Sequence, residues 1–293
     1  MRARRYTAFV ALNVVLMVAL CFATLYPFWF VLVNSMNEGL DALRGGIYWW
    51  PRVFSLDNYR IVFKDAAILT AFAVSVARTV VATTLNVFFT AMVSFALSKR
   101  YLVGRRFYMG AGMVTLFFGG GLIPYFLLIR GLGLLDSFLV YVFPTMFSFY
   151  NLLIFQAFFR EIPGELEESA RIDGAGNFLV FLRIVIPLSG PVIATLALFV
   201  GVYNWNDFFY GVIFINNTRL HPIQTYLYRV IAESQSGQML TSVLLTSAVQ
   251  ARRVTAQAIR MATMVVSTAP IVCVYPFLQR YFVKGVLLGS VKG

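Results

Sequence analysis

The sequence predicts an all-α integral membrane protein that has six transmembrane helices and keeps both termini in the cytoplasm. Of its 293 residues, 60% are hydrophobic and 12% are charged, which is too apolar for a soluble globular protein. Several apolar runs are long enough to cross a bilayer. Thirteen of the 24 Lys and Arg residues lie in four segments that the positive-inside rule places in the cytoplasm. These observations predict one multi-pass transmembrane domain over residues 1–293.

The first predicted span is the apolar run 7–33, which follows a basic start at residues 2–5. The run is longer than the apolar region of a signal peptide and has no small-residue cleavage site before its end. We therefore expect it to be retained as a transmembrane helix. Residues 34–65 follow as the first outer segment, and their aromatic stretch 48–50 suits the headgroup level of a membrane.

The second span is predicted to follow residue 65, and its uncharged part runs over residues 79–97. Arg78 precedes this uncharged run, and we expect its long side chain to lie near the outer membrane surface, where it can reach the headgroups. A short loop over residues 99–106 follows, and its four cations place it in the cytoplasm.

The third and fourth spans are predicted over residues 107–129 and 137–159. Gly119–Gly121 and Pro124 lie inside the third span. A helix break at membrane depth needs cover from protein or from a water-filled cavity. These residues indicate either the hinge of a gate or close helix packing through small residues, and the sequence leaves both alternatives open.

The segment 161–187 is polar and lies between two apolar spans. It holds five of the twelve carboxylates in the chain. Glu167 and Arg171 are spaced to form an ion pair along one helix face. Gly174 follows as a helix breaker, and Asn177 is suited to cap a second helix. The segment is therefore predicted to fold as a helix, a sharp turn and another helix.

The fifth span, predicted over residues 188–215, contains polar side chains that would be costly against lipid. We expect these residues to line a hydrated translocation path. They are Asn204, Trp205, Asn206 and Asp207.

Residues 216–260 are predicted to form a second long outer segment. The apolar stretch 239–249 within it is too short to span, so we expect an interfacial or re-entrant piece. The sixth span is predicted over residues 261–279. A cytoplasmic tail over residues 280–293 then ends the chain.

The sequence offers none of the usual equipment for catalysis or nucleotide binding. It contains one His, two Cys in apolar runs and no HExxH, GxSxG or P-loop pattern. We therefore expect no catalytic residue and no metal site, and any ATP must be bound by another subunit. The net charge of +12 is attributed to membrane orientation rather than to nucleic-acid binding.

The segment 161–187 also carries a spaced motif that resembles the EAA loop of ABC-importer permeases. That loop reads E-A-A, three residues, G, nine residues, I-x-L-P, and this sequence replaces the first Ala by Ser and the Leu by Ile. The resemblance implies a cytoplasmic coupling helix that sits in a cleft of a partner ATPase. The alternative is an amphipathic interfacial hairpin without a partner. The coupling residues implied by the motif are Glu168, Ser169, Ala170, Gly174, Ile184 and Pro187.

Stretches along most of the chain resemble the family of carbohydrate-importer permeases similar to the maltose-system protein MalG. They include WPRVFSLDNYRIVF, GGGLIP, GLLDS, WNDFF and the ending YPFLQRYFVKGVLLGSVKG. The resemblance implies the type I ABC-importer permease architecture and a place in the bacterial cytoplasmic (inner) membrane. Within the family, the chain is most similar to the branch that takes up polysaccharide fragments and complex oligosaccharides, which includes bacterial alginate importers.

The resemblance also implies partners. A second homologous permease would form a heterodimer with this chain, two cytoplasmic ATPase subunits would bind ATP and Mg²⁺, and an extracytoplasmic solute-binding protein would deliver a carbohydrate. This chain itself would bind no cofactor. The outer segments 34–65 and 216–260 would contribute to the docking surface for the binding protein. The tail, through Lys284, Gly285 and Lys292, would reach the ATPase dimer.

Nothing in the residues themselves selects the sugar. Arg252, Arg253 and Arg260 would give a basic outer surface that suits a polyuronate, and they suit membrane-interface anchors equally.

Two other functions are open from the sequence. An ion- or proton-coupled secondary transporter of small solutes would show inverted repeats and intramembrane carboxylates, for which Asp207 is the candidate. An intramembrane enzyme would need a paired nucleophile and base, or a metal site, within the spans. The sequence shows neither a repeat nor such a pair.

Overall fold

The computed structural model describes residues 2–232 and 255–290, and it describes side chains in 9–232, 255 and 257–274. Every regular element within these ranges is a helix, and extended backbone pairs there at an isolated bridge between Asn37 and Phe54. The all-α prediction is confirmed for this part of the chain. The chain divides into two compact units, which are Met1–Leu69 with Leu227–Ala269 and Thr70–Tyr226 with Pro270–Gly293.

The first unit begins with a long helix followed by an ordered polar segment. Its first helices are α1 (Arg2–Ser35), α2 (Gly39–Ala42) and α3 (Asp57–Lys64). The buried Asn58 amide donates hydrogen bonds to the carbonyl oxygens of Ser35 and Asn37, both at 2.8 Å. A buried amide without partners would destabilise the fold, so these bonds fix the path of the segment. The predicted outer segment 34–65 is therefore an ordered segment that is held by buried hydrogen bonds.

The remaining helices include those of the second unit. In chain order they are α4 (Ala66–Ser98), α5 (Arg105–Phe117), α6 (Leu122–Gly131), α7 (Phe149–Phe159), α8 (Gly164–Ile172), α9 (Asn177–Val180), α10 (Ile186–Leu188), α11 (Gly190–Asn206), α12 (Phe209–Phe214), α13 (residues 223–232) and α14 (Ala256–Ser290). A π-helical turn, Phe181–Val185, joins α9 to α10. Short 3-10 helices lie at Phe138–Tyr141 and Thr218–Leu220.

Three of the described helices are long and apolar enough to cross a membrane, namely Phe9–Ser35, Ala66–Ser98 and Gln257–Val274. The pair Asn177–Leu188 and Gly190–Asn206, which is bent by 83°, would count as a fourth span. The third and fourth predicted spans consist of shorter helical pieces. The six-span topology and the cytoplasmic position of both termini therefore stay a prediction.

The predicted third span is broken at its glycines. α5 ends at Phe117, α6 begins at Leu122, and Gly121 adopts a φ of 80° that favours glycine. A Cβ at Gly119, Gly120 or Gly121 would meet no atom within 4 Å, so these residues do not serve close packing within this chain. Within the predicted third span, Gly112 is closely packed, because a Cβ there would lie 1.9 Å from a ring carbon of an α7 aromatic side chain.

The expectation for Arg78 is wrong. α4 begins at Ala66, so Arg78 lies three turns inside the helix and its side chain is fully buried. The charge does not end the helix, because another part of the chain supplies a counter-charge.

The end of the chain also differs from the prediction. α14 stays helical from Ala256 to Ser290, so the predicted tail begins inside this helix. Lys284 and Gly285 lie on its described backbone, whereas Lys292 lies outside the described residues. The predicted interfacial piece 239–249 also lies outside them, as do Arg252 and Arg253.

α4 supplies polar partners to the interrupted segment where the fourth span is predicted. The Asn86 amide donates to the Thr145 carbonyl at 2.5 Å, and the Thr90 hydroxyl accepts from the Ser148 backbone N–H at 3.3 Å. Thr145 and Ser148 lie between the 3-10 helix at Phe138–Tyr141 and α7, where backbone groups have no helical partner. The buried polar side chains of α4 therefore make this interruption possible.

Candidate functional site

The segment 161–187 folds as a helix, a sharp turn and a second helix, as predicted. α8 ends in a Schellman motif, in which the Ala175 N–H donates to the Ala170 carbonyl at 2.9 Å and the Gly174 N–H donates to the Arg171 carbonyl at 3.0 Å. Gly174 has a φ of 84°, which favours glycine over any L residue. The bend is therefore set by local backbone chemistry.

The motif residues divide into an outward and an inward set. Glu168, Ser169 and Gly174 are exposed, as is Pro187 at the far end of the segment. The half-buried residues of the motif, Ala170 and Ile184, pack against the apolar core of the second unit. The segment is anchored to the core by its inward residues and presents its exposed residues to a possible protein partner.

Two exposed apolar side chains also lie on α8. Ile172 is 86% exposed, and Leu166 is also exposed. Exposed apolar residues on an otherwise charged helix indicate an interaction surface. Sequence reasoning passed over both residues because it followed the motif and its charges.

The charges of α8 bind different partners from those predicted. Glu167 forms its ion pair with the ammonium group of Lys99, the residue after α4. Arg171 donates instead to the Tyr101 hydroxyl at 3.0 Å and to the Asn177 side-chain oxygen at 3.1 Å. The predicted pairing of Glu167 with Arg171 is therefore wrong, because the loop after α4 supplies closer partners.

The core beneath the segment joins it to α4 and α7. Phe181 in the π-helical turn is fully buried, and its ring centroid lies 5.5 Å from that of Phe95 on α4. Phe155 and Phe159 of α7 belong to the same apolar cluster, together with Val185. The second half of the segment is therefore held by aromatic packing as well as by polar contacts.

A second polar group lies at the break between α11 and α12. The Arg78 guanidinium contacts the Asp207 carboxylate at 2.5 Å and donates to the Asp207 carbonyl at 2.9 Å. The two side chains are 0% and 10% exposed. Asp207 also accepts a hydrogen bond from the Phe209 N–H at 3.2 Å, so it caps the start of α12.

The Arg78 guanidinium also lies against an aromatic face. Its central carbon is 4.5 Å from the ring centroid of Tyr141, which is itself fully buried. A cation over an aromatic face is stabilised by the ring quadrupole. The ring and the carboxylate together explain how a cation can be buried at this depth.

The four predicted path residues lie in different surroundings. Asn204 and Trp205 are buried, Asn206 is exposed, and the Asp207 side chain is largely buried beside Arg78. Trp205 borders a groove of about 480 Å³ whose lining is almost wholly apolar. The structure brings Asp207 together with Arg78 rather than with the other three residues, and a path along them stays a prediction.

Sequence reasoning missed the roles of Arg78, Lys99 and Tyr101. The signal for Arg78 is that polar residues follow it in α4 at multiples of four residues, namely Asn86, Thr90 and Ser94. Polar residues at this spacing form one helix face, which indicates a buried polar stripe. For Lys99 and Tyr101 the sequence holds no comparable signal, because their partners lie about 70 residues away.

Residues 66–288 of the chain match the family described as the binding-protein-dependent transport system inner membrane component. Protein LplC of Bacillus subtilis (strain 168) is 38% identical over 274 residues, which cover 92% of this chain and 90% of that protein. The polygalacturonan/rhamnogalacturonan transport system permease protein YtcP of the same organism is 39% identical over 267 residues, which cover 91% and 92%.

A solved structure is similar over nearly the whole chain. It is a chain in the crystal structure of a bacterial ABC transporter involved in the import of the acidic polysaccharide alginate. The two chains superpose with a TM-score of 0.85 at 27% sequence identity, over 94% of this chain and 97% of that one.

Proposed function

Since the chain belongs to the family of binding-protein-dependent transport system inner membrane components, we propose that it is the permease subunit of an ATP-driven importer of acidic oligosaccharides. Its general role is that of a sugar-importer permease, and the acidic character of the sugar is our own inference. The permease carries no catalytic residue in this proposal. ATP and Mg²⁺ are bound by two partner ATPase subunits in the cytoplasm.

The observation that carries the proposal is the outward face of α8. Glu168, Ser169 and Ile172 point away from the body of the second unit, while Ala170 packs into its core. A short helix whose inward face is packed into the core can transmit the motion of a partner that binds its exposed face. We propose that the ATPase binds this face and that segment 161–187 is the coupling loop.

The acidic character of the substrate is supported by two relatives. YtcP is described as a permease for polygalacturonan and rhamnogalacturonan, and the structural neighbour belongs to a transporter of the acidic polysaccharide alginate. Polygalacturonan and alginate are both built from uronic acids. An oligosaccharide released from a polyuronate is therefore the substrate class that we propose.

The rest of the assembly follows from the same family. We propose six spans in the bacterial cytoplasmic membrane, both termini inside, and a heterodimer with a second permease. A solute-binding protein would dock on the outer segments 34–65 and 216–260. In the described part of the second segment, Asp136 accepts hydrogen bonds from the N–H groups of Asn216 and Asn217 at 2.9 and 2.7 Å, which holds this turn in an exposed position.

The proton-coupled alternative loses its candidate residue. A carboxylate that carries a coupling ion must exchange protons or cations with water during transport. Asp207 is instead paired with a fully buried guanidinium and caps α12. This pairing favours a structural role for Asp207 over ion coupling.

The first experiment purifies the complex through a tag on this chain and identifies the proteins that accompany it. The complex is then reconstituted in proteoliposomes, and uptake of labelled tri-galacturonate is compared with uptake of maltotriose, a neutral trisaccharide. We expect uptake of the uronate that needs enclosed ATP and survives an uncoupler. Uptake that an uncoupler abolishes while ATP is present would contradict the proposal, and equal uptake of maltotriose would remove its acidic part.

The predicted path is tested by the chemistry of single cysteines in a chain whose Cys21 and Cys273 are replaced by Ser. Asn206 is exposed and Asn204 is buried, so the two positions form a matched pair. If a hydrated path passes this end of α11, Asn206→Cys reacts with a small water-soluble thiol reagent in the assembled complex and Asn204→Cys reacts far more slowly. Equal protection of both positions in the resting and ATP-trapped complexes would exclude the path.

A further inference from the structure

The loop after α4 touches the coupling loop at two places. The first contact is the ion pair between Lys99 and Glu167, whose side chains are only 13% and 21% exposed. The Lys99 ammonium also lies 4.0 Å from the ring centroid of Phe95 in the last turns of α4. Because water is largely excluded, this pair is screened less than an ion pair on an open surface.

The second contact reaches both helices of the coupling loop. The Tyr101 hydroxyl accepts a hydrogen bond from Arg171 on α8 and lies 3.4 Å from the Asn177 side-chain oxygen at the start of α9. Arg171 also binds Asn177 directly at 3.1 Å. Tyr101, Arg171 and Asn177 therefore close a triangle across the bend at Gly174, which restrains the angle between α8 and α9.

α4 connects these contacts to the buried ion pair at the other end of the second unit. It is one continuous helix from Ala66 to Ser98 and carries Arg78 in its interior. Its end is about 30 Å from Arg78 at the rise of an α-helix. Arg78 in turn binds Asp207 at the break between α11 and α12. A displacement of α8 therefore has a direct mechanical route along α4 to this break.

We propose that Lys99 and Tyr101 are positioning residues that fix the coupling loop to α4, so that both move as one body when the partner ATPases close. The inference rests on the proposed function of segment 161–187. It adds that the motion enters the membrane through α4 as well as through the directly connected α11. α4 ends more than sixty residues before the coupling loop begins.

The test measures the distance between two spin labels on the assembled complex. One label is placed at Glu165 on α8 and the other at Ala96 on α4, both of which are exposed. The distance is recorded in the resting complex and in the complex trapped with Mg²⁺, ATP and vanadate. We expect one narrow distribution that is the same in both states, since the two elements move together.

The variants distinguish the loss of the Lys99–Glu167 ion pair from a change in the net charge of the loop. In Lys99→Glu we expect the distribution to broaden and to differ between the two states, with at least five-fold more ATP hydrolysed per tri-galacturonate transported. The exchange Lys99→Glu with Glu167→Lys restores the pair and should return both measurements towards wild type. Lys99→Arg keeps the positive charge and should leave both measurements close to wild type. Arg100→Glu changes the charge equally at an exposed neighbouring position and should leave both measurements unchanged.

Tyr101→Phe is a milder change that keeps the ring and removes the hydroxyl. We expect it to broaden the label distribution in a complex that assembles normally, which keeps the test decisive if Lys99→Glu does not assemble. A wild-type distance that changes between the two states would overturn the inference, and so would Lys99→Glu and Tyr101→Phe distributions identical to wild type.

The proposed function is tested separately by Glu168→Lys. Loss of the ATPase from this variant, together with unchanged label distances in Lys99→Glu and Tyr101→Phe, would leave the coupling loop in place and remove only its attachment to α4. Full retention and normal activity of the ATPase in Glu168→Lys would instead count against the coupling loop itself.

Discussion

Asp207→Asn is expected to destabilise the chain by removing the counter-charge of a fully buried arginine. Breaking a buried ion pair by deleting one charge costs about 3–5 kcal/mol, because the remaining charge stays out of water. Asn keeps an oxygen that can accept a hydrogen bond from Arg78 and can cap α12, and Arg78 keeps its bond to the backbone carbonyl of residue 207. The loss should therefore lie at the lower end, about 3 kcal/mol.

Two further variants test the origin of this cost. Asp207→Ala also removes the cap of α12, which adds about 1 kcal/mol. The double variant Arg78→Met with Asp207→Asn removes both charges while keeping a long side chain and the cap. Replacing a buried pair by uncharged groups of similar volume is often neutral, so the double variant should lie within about 1 kcal/mol of wild type.

The assay is equilibrium unfolding of the purified chain in mixed detergent micelles, with all variants measured under the same conditions. The coupling free energy between the two positions comes from the double-mutant cycle. If the effects of Arg78→Met and Asp207→Asn simply add, the carboxylate does not stabilise Arg78. The assignment of Asp207 to a structural pair would then be refuted, and a role in a hydrated path would be favoured.

Three other substitutions have matched controls or direct readouts. Gly174→Ala places an L residue at a φ of 84°, at a cost of about 1–2 kcal/mol, and should raise the ATP hydrolysed per sugar transported, whereas Gly176→Ala at a φ of −70° should not. Ile172→Asp should reduce the amount of ATPase that copurifies, because it puts a charge in the exposed apolar face of α8, and full retention would remove that face from the interface. Gly112→Ala would place a Cβ 1.9 Å from an aromatic carbon of α7 and should cost about 1–3 kcal/mol in the unfolding assay, whereas Gly110→Ala meets nothing within 4 Å inside the same helix and should stabilise the chain by up to about 1 kcal/mol.

The shape of segment 161–187 could be predicted from the sequence because it depends on neighbouring residues. The Schellman motif uses groups within five residues of one another, and its left-handed position is occupied by Gly174. The polar contacts of the loop could not be predicted in the same way. Glu167 has Arg171 at a suitable spacing, yet it binds Lys99, which lies 68 residues away. Local spacing gives a possible partner, and the fold decides between the possible partners.

The prediction for Arg78 failed for a related reason. The uncharged run begins at residue 79, but Arg78 lies inside a helix that begins at Ala66, and its side chain is buried. A charge ends an apolar run in a hydropathy count, because the count assigns it the full cost of transfer into lipid. That cost falls once a carboxylate and an aromatic ring meet the cation. Both Asp207 and Tyr141 are more than sixty residues away, so no window over the local sequence includes them.

The polar stripe on α4 gives a reason why the other predicted spans can be broken. Arg78, Ala82, Asn86, Thr90 and Ser94 follow one another at intervals of four residues, and all are buried. A continuous apolar helix could offer neighbouring segments only packing, and their interruptions would leave backbone groups unpaired in a region without water. The stripe supplies those partners.

Two further contacts of α4 support this reasoning. Ser94 donates to the Leu152 carbonyl at 3.0 Å, and the nearby Ser75 accepts from the N–H of Ile223, at the start of α13, at 2.7 Å. Ile223 is the first residue of α13, so its N–H has no partner within its own helix. α4 therefore buries polar side chains in its interior-facing stripe, and the hydrogen bonds of these side chains allow the neighbouring helices to be interrupted.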